Sequence, residues 1–298
     1  MSFSSDIKNE LAALTNGSAC CDAAQAYGMA EFGRSFSASS VALQTEHEAA
    51  AMRYAELLET VCGVTPQCHR PTADKPGMYT VSVPSEAIKQ VLSRFGHGGS
   101  EVTLRLNRAV LDCDGCPAAF LRGVFLVCGA ITNPQVDYHL EFSVPYLNLS
   151  RDLTALLGEL GFRARTVRRK GNYVVYFKES EQIEDCLTLM GAMNASLELM
   201  NVKIIKNIRN NVNRAANCEN ANLDKIVAAA LVQAEAVRKI QSRMGLDALP
   251  EELRELCRLR LENPDFSLRE LGEQLEPPIS RSGVNHRLKR ILEIAEDL

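Results

Sequence analysis

Residues 21–34 read CDAAQAYGMAEFGR and residues 116–129 read CPAAFLRGVFLVCG, with Cys21, Ala23, Ala24 and Gly28 matching Cys116, Ala118, Ala119 and Gly123 at an offset of 95 residues. A second pair of windows, SEAIKQVL (85–92) and SEQIEDCL (180–187), repeats that offset with Ser, Glu, Ile and Leu in register. Between them, GMYTVSV from Gly77 and GNYVVYF from Gly171 share Gly and Tyr at an offset of 94. Three windows in one order imply a duplicated module, and a period of this length is too long for solenoid or propeller repeats. A chain of 298 residues then holds two copies of one small domain and a third part after about residue 200.

Each copy opens with a helix (about 21–33 and 116–129), continues through strands to a second helix (about 46–62 and 151–160), and passes a hairpin to a third (about 85–95 and 180–190). In copy two the hairpin is RARTV, the turn RRKGN, then YVVYF, rich in β-branched and aromatic residues around a glycine. Copy one carries a longer turn containing Pro71, Pro76 and Gly77. Two hairpins without strand–helix–strand alternation predict an α+β class with antiparallel strands. The boundaries follow as 1–106 and 107–200 for the repeats. Residues 201–222, a basic Asn-rich stretch, read as a linker because apolar residues are too sparse there for a core helix. Residues 223–298 form a helical domain.

The charge is uneven. The net value is only −4, yet three stretches contain no acid. The first holds Arg163, Arg165, Arg168, Arg169, Lys170 and Lys178; the second Lys203, Lys206, Arg209 and Arg214; the third Arg281, Arg287, Lys289 and Arg290. Such blocks can form an electrostatic footprint for phosphate on an acidic chain. No apolar run reaches the length of a membrane helix, and the polar start MSFSSDIKNEL does not read as a secretory signal. Ten irregularly spaced cysteines then suit a reducing cytosol.

The tail carries the clearest local signals. An Ala-rich helix is expected over Leu223–Met244 and stops at Gly245; Pro250 opens another, which Asn263-Pro264 ends. Ser267-Leu-Arg-Glu270 has the form of a capping box ahead of Leu271 and Leu275. After Pro277-Pro278, a helix from about Ser280 spaces Val284, Leu288, Ile291 and Ala295 by 4, 3 and 4 residues, one apolar stripe. Its other faces offer Arg281, Ser282, Asn285, His286, Arg287, Lys289 and Arg290. Two short helices of this kind at about 267–295 describe a helix-turn-helix, and the run from Pro250 also resembles the DNA-binding region of sigma factors. Arg and Lys suit guanine edges, Asn suits adenine, and a helix start with Ser282 suits phosphate. The acidic first helix, with Glu270, Glu273 and Glu276, should not lie on phosphate.

The duplicated module with a glycine in each opening helix resembles the LAGLIDADG homing endonuclease fold. Together with NIRNNVNRAANCENANLDK and SLRELGEQLEPPISRSGVNHRLKRI, it is similar to the WhiA family over essentially the whole chain. The resemblance implies a duplicated LAGLIDADG-like α/β domain followed by an all-α helix-turn-helix domain. It also implies a bacterial regulator of cell division, chromosome segregation or sporulation, cytoplasmic and nucleoid-associated. In the endonucleases an acid ends each opening helix, and the pair holds the metals that activate water. Matching Gly129 to the motif's last glycine puts Cys128 at that position in copy two; copy one has Gly33 or, in the alternative register, Phe32. Neither register supplies an acid, so the resemblance implies a scaffold without cleavage activity.

The expected DNA contacts are Arg281, Ser282, Asn285, His286, Arg287, Lys289 and Arg290 in the tail, with Arg165, Arg168, Arg169 and Lys170 in the hairpin. The expected partners are double-stranded DNA and a protein of transcription or division, with no membrane, small-molecule substrate, cofactor or catalytic residue. Two rival classes stay open: an endonuclease recruiting Glu31 with Asp112 or Asp114, and an interaction scaffold in division. Cys20-Cys21 and Cys113-x-x-Cys116 begin the two opening helices, which pack side by side in the parent fold and could bring four thiols together as in a zinc site. An adjacent pair is awkward for a tetrahedron and buried structural cysteines are commoner, so no metal is expected. His69, His97 and His139 have no ligand-like spacing to these thiols. No nucleophile elbow or P-loop is present, and HGGS at 97–100 leads to no motif.

Overall fold

The computed structural model describes residues 2–71, 77–97 and 104–298. These divide into two compact units, residues 1–206 and 207–298. Pro76 of the expected copy-one turn and residues 98–100 of HGGS lie outside the described residues.

The first unit contains the repeat twice. Copy one runs α2 (Ala19–Glu31), β1 (Ser35–Ser37), β2 (Ser40–Thr45), α3 (Glu48–Cys62), β3 (Gln67–His69), β4 (Tyr79–Ser82) and α4 (Ile88–Arg94). Copy two runs α5 (Cys116–Cys128), β5 (Gly129–Ile131), β6 (Leu140–Val144), α6 (Leu147–Glu159), β7 (Arg165–Arg169), β8 (Asn172–Phe177) and α7 (Ser180–Met190). The two sheets have one topology, β1-β2-β4-β3 and β5-β6-β8-β7, with every neighbour antiparallel. Identical order in both copies is what a duplicated α+β module requires.

The matched glycines explain the repeated pattern. A Cβ on Gly28 would stand 2.6 Å from the Phe120 carbonyl oxygen, and one on Gly123 would stand 2.3 Å from that of Gln25. Helices α2 and α5 therefore cross backbone to backbone, with Ala24 and Ala119 buried beside the crossing. The aromatic rings of Tyr27 and Phe120, one from each copy, lie 5.8 Å apart in the shared core. Preceding both copies is α1 (Phe3–Ala12), capped by Ser2 and burying Ile7 and Leu11. The repeat pattern does not announce this helix, because it has no counterpart in copy two.

Residues 201–222 do not form a linker between helices. They lie inside one helix, α8 (Met193–Arg243), whose first turns belong to the first unit and whose remainder belongs to the second. The physical reason is that no Gly or Pro occurs from Ala192 to Met244, between Gly191 and Gly245, both of which adopt positive φ. Asparagine weakens a helix only modestly; glycine and proline end it.

In the second unit, α8 contributes Val237 and Ile240 to a core with α9 (Glu251–Glu262), α10 (Leu268–Gln274) and α11 (Arg281–Glu296). The capping box forms as the sequence predicts: Ser267 and Glu270 exchange side-chain and backbone hydrogen bonds. The predicted stripe of Val284, Leu288, Ile291 and Ala295 is buried. Arg260, itself buried, donates to the Phe266 carbonyl at 2.8 Å and holds the loop between α9 and α10.

Candidate nucleic-acid interface

Burying one stripe of α11 leaves the rest of its surface to solvent. Arg281, Ser282, Asn285, His286, Lys289 and Arg290 are exposed. Ser280 caps the helix by accepting from the Gly283 N–H, and its hydroxyl meets that of Ser282 at 2.9 Å, so two hydroxyls stand at the helix start. Free N–H groups at a helix start favour anions. Arg281 and Asn285 also line a groove of about 410 Å³ with Lys225, Ile226, Gln233 and Arg269. Arg287 differs from its neighbours. It is half-buried and pairs with Glu252 of α9 at 3.3 Å, which ties it to the bundle.

The hairpin residues divide between two faces because strand side chains alternate. Arg165 stands opposite Tyr176 and Arg169 opposite Asn172, on the face that also carries Glu141 and Ser143. Arg168 stands opposite Tyr173 on the other face, its guanidinium 5.9 Å from that ring's centre. Lys170 and Gly171 make the two-residue turn, with φ of 49° and 89°, the positive values that tight hairpins demand. Strand β7 is an exposed edge, so Arg165 and Arg169 are open to a ligand. The corresponding face of the first sheet is rich in hydroxyls: Ser35, Ser40 and Ser82 stand around Ala42, and Arg34 donates to Gln44 on it at 2.7 Å.

The second basic block is partly spent within the fold. Lys203 pairs with Glu181 at 3.3 Å, and Lys206 donates to the Pro134 carbonyl at 2.7 Å while covering the Tyr138 ring. Sequence alone gave no sign of these partners.

The C-terminal ends of α2 and α5 offer no paired acids. Phe32 is buried against Phe120, and a Cβ on Gly33 would meet the Ala42 carbonyl oxygen at 2.9 Å, leaving no room for a side chain. The Cys128 thiol donates to the Val124 carbonyl at 3.4 Å, and burial pushes its pKa up to about 12. A cation acts on it through space, the buried Lys8 of α1, whose own pKa is pulled down mainly by burial. Glu31 is buried too, and neither carboxyl oxygen has a hydrogen-bond partner among the described residues. Burial raises its pKa to about 8, so the group is mostly neutral at pH 7. Asp112 lies by Ala19 and Cys20 at the opposite end of α2, roughly 16 Å from Glu31 at the helical rise of 1.5 Å per residue.

That opposite end gathers thiols. The sulfurs of Cys20, Cys21, Cys113 and Cys116 all lie within 4.8 Å of one another. Hydrogen bonds, first from Cys20 and then from Cys116, hold the Cys113 thiol down at about 7, whereas burial pushes Cys116 up to about 12.

With this geometry in view, two family models match: the WhiA LAGLIDADG-like domain over residues 117–209 and the WhiA C-terminal HTH domain over residues 212–295. A curated relative from Heliobacterium modesticaldum is 39% identical across 99% of this chain and 96% of its own length. The chain belongs to the WhiA family. A WhiA relative from Clostridium botulinum strain Hall is 42% identical over 75% of this chain and 73% of its own, and one from Clostridium perfringens strain SM101 is 44% identical over the same shares. All three carry the name "Probable cell division protein WhiA". The crystal structure of full-length WhiA from Thermatoga maritima shares the fold, with a TM-score of 0.59 at 23% identity, covering 100% of this chain and 99% of that one. The fold class is therefore the one the repeats and the tail predict: a LAGLIDADG-like domain followed by a helix-turn-helix domain, the WhiA arrangement.

Proposed function

We propose that this chain is a non-enzymatic regulator of transcription that binds double-stranded DNA and acts in bacterial cell division, chromosome segregation or sporulation. The observation that carries the reading is α11: its apolar stripe is buried, and Arg281, Ser282, Asn285, His286, Lys289 and Arg290 are exposed together. That is the layout of a recognition helix, in which Asn can pair with an adenine edge and Arg or Lys with guanine. Arg165, Arg169 and the turn residue Lys170 add a second cationic surface for phosphate, while Arg168 stands on the other face over Tyr173 and Arg287 is tied to Glu252. The names of the curated relatives support the setting in division, and cytoplasmic, nucleoid-associated localisation follows from the DNA role. Exposed Ile208, Val212, Leu223, Ile226 and Leu231 on α8 favour an additional protein partner. A neutral Glu31, distant from Asp112, argues against the endonuclease alternative.

The test is a titration of full-length protein on mixed genomic duplex fragments with magnesium, across a range of salt, with the bound DNA recovered and sized. Selected, intact fragments are expected, and Asn285→Ala should relax the selection at a cost of about 1–3 kcal/mol. Magnesium-dependent nicking would overturn the non-enzymatic reading, and failure to bind would overturn the DNA-binding one.

A further inference from the structure

Cys20 and Cys21 open α2, while Cys113 and Cys116 form a C-x-x-C turn into α5. The segments come from different repeats, yet Cys113 Sγ lies 3.4 Å from that of Cys20, 3.6 Å from that of Cys21 and 3.5 Å from that of Cys116. All four are free thiols. A zinc ion with Zn–S bonds of about 2.3 Å at tetrahedral angles holds its sulfurs about 3.8 Å apart, close to these spacings. A disulfide would need sulfurs at about 2.05 Å.

We infer that Cys20, Cys21, Cys113 and Cys116 form a tetrathiolate site for one structural zinc ion. The objection that adjacent cysteines cannot share a tetrahedron is met by the placement of Cys113. It sits beside both thiols of the first turn of α2, with Cys116 completing the set from the start of α5.

The surroundings are those of a zinc-thiolate centre. The Cys113 N–H lies 3.5 Å from Cys116 Sγ, and the Ser18 hydroxyl lies 3.2 Å from Cys20 Sγ. Hydrogen bonds of this kind orient metal ligands and temper their charge. Gly115, between the C-x-x-C cysteines, lets the turn close on Cys21: a Cβ there would stand 3.1 Å from that sulfur. Four thiolates around zinc leave a net charge of −2, which the N-terminal ends of α2 and α5 oppose. Arg122 lies within electrostatic reach of Cys21 and adds a further positive charge.

An all-sulfur set prefers zinc to magnesium or manganese. Four protein ligands leave no open position for water, so the ion is structural and not hydrolytic. It would staple the two repeats where their central helices begin, at the end away from Phe32 and Cys128.

The experiment is elemental analysis of full-length protein purified with reductant and without a metal-affinity tag, together with titration of the zinc and thiols released by a mercurial reagent. One zinc per chain, released as four thiols are titrated, is expected. Cobalt exchanged into the site should show the visible absorption of tetrahedral thiolate coordination. Cys113→Ser should lose the ion, while Cys68→Ser and Cys218→Ser, at exposed thiols outside the cluster, should retain it. Metal-free protein that takes up no zinc when it is added back would overturn the assignment. So would iron in its place, a disulfide among the four in reducing buffer, or zinc retained by Cys113→Ser. If Cys113→Ser fails to fold, the wild-type stoichiometry and the cobalt spectrum still decide.

Discussion

Replacing Glu31 with Gln tests the burial that removes this acid from any metal chemistry. Glu31 is 1% exposed, and burial raises its carboxyl from 4.5 to about 8, with neighbouring Asp152 adding to the rise and Tyr27 opposing it. The unfolded chain releases this proton near the ordinary value, whereas the folded chain keeps it. Glu31 therefore costs no ionisation energy below about pH 4.5. As pH rises from there to about 8, the folded state loses about 1.4 kcal/mol per pH unit relative to the unfolded one. The total approaches 4–5 kcal/mol above pH 8, an order-of-magnitude figure from the same linkage. Glutamine carries no such proton. In urea unfolding at pH 5, 6, 7 and 8, Glu31→Gln should gain on the wild type at each step, with the gap levelling off near pH 8. At pH 5 the variant gains little, and a small loss there is compatible with the reasoning because the amide must find partners. Parallel stability curves across this range would refute it, since they would mean that Glu31 ionises freely in the folded chain.

Two other outcomes follow from the interface and the helix crossing. Arg165→Ala and Arg169→Ala should each flatten the dependence of log affinity on log salt by up to about 0.9, whereas Arg168→Ala, on the opposite face over Tyr173, should leave the slope nearly unchanged; equal effects at all three would refute the face assignment. Gly123→Ala forces a methyl to within 2.3 Å of the Gln25 carbonyl and should destabilise by about 1–3 kcal/mol. Gly158→Ala in α6, where no atom lies within 4 Å of the new Cβ, should be neutral or stabilising by up to about 1 kcal/mol; thermal unfolding of the pair separates close approach from general helix effects.

Local signals carried much of the architecture. The duplication was legible because two copies of one fold need glycine at one crossing point, Gly28 and Gly123, and similar third helices. The tail was legible because capping and apolar spacing act within a few residues: Ser267 with Glu270, and Val284 through Ala295. The stretch 201–222 reads as a linker because its apolar residues are too sparse for a core helix, yet it lies inside α8. The more decisive signal was the absence of Gly and Pro from Ala192 to Met244.

Residue identity and short periodicities suffice for the repeat, the helix-turn-helix and the absence of acids at the ends of α2 and α5. Which cations remain free depends on packing across the fold. Arg287 is taken by Glu252, Lys203 by Glu181 and Lys206 by the Pro134 carbonyl, partners 35, 22 and 72 positions away. The same packing buries Glu31 and draws Cys113 to within 3.6 Å of Cys21 across 92 positions. Such meetings depend on how α2 and α5 cross and how the helices of each unit pack, and no local pattern in the chain encodes those distances.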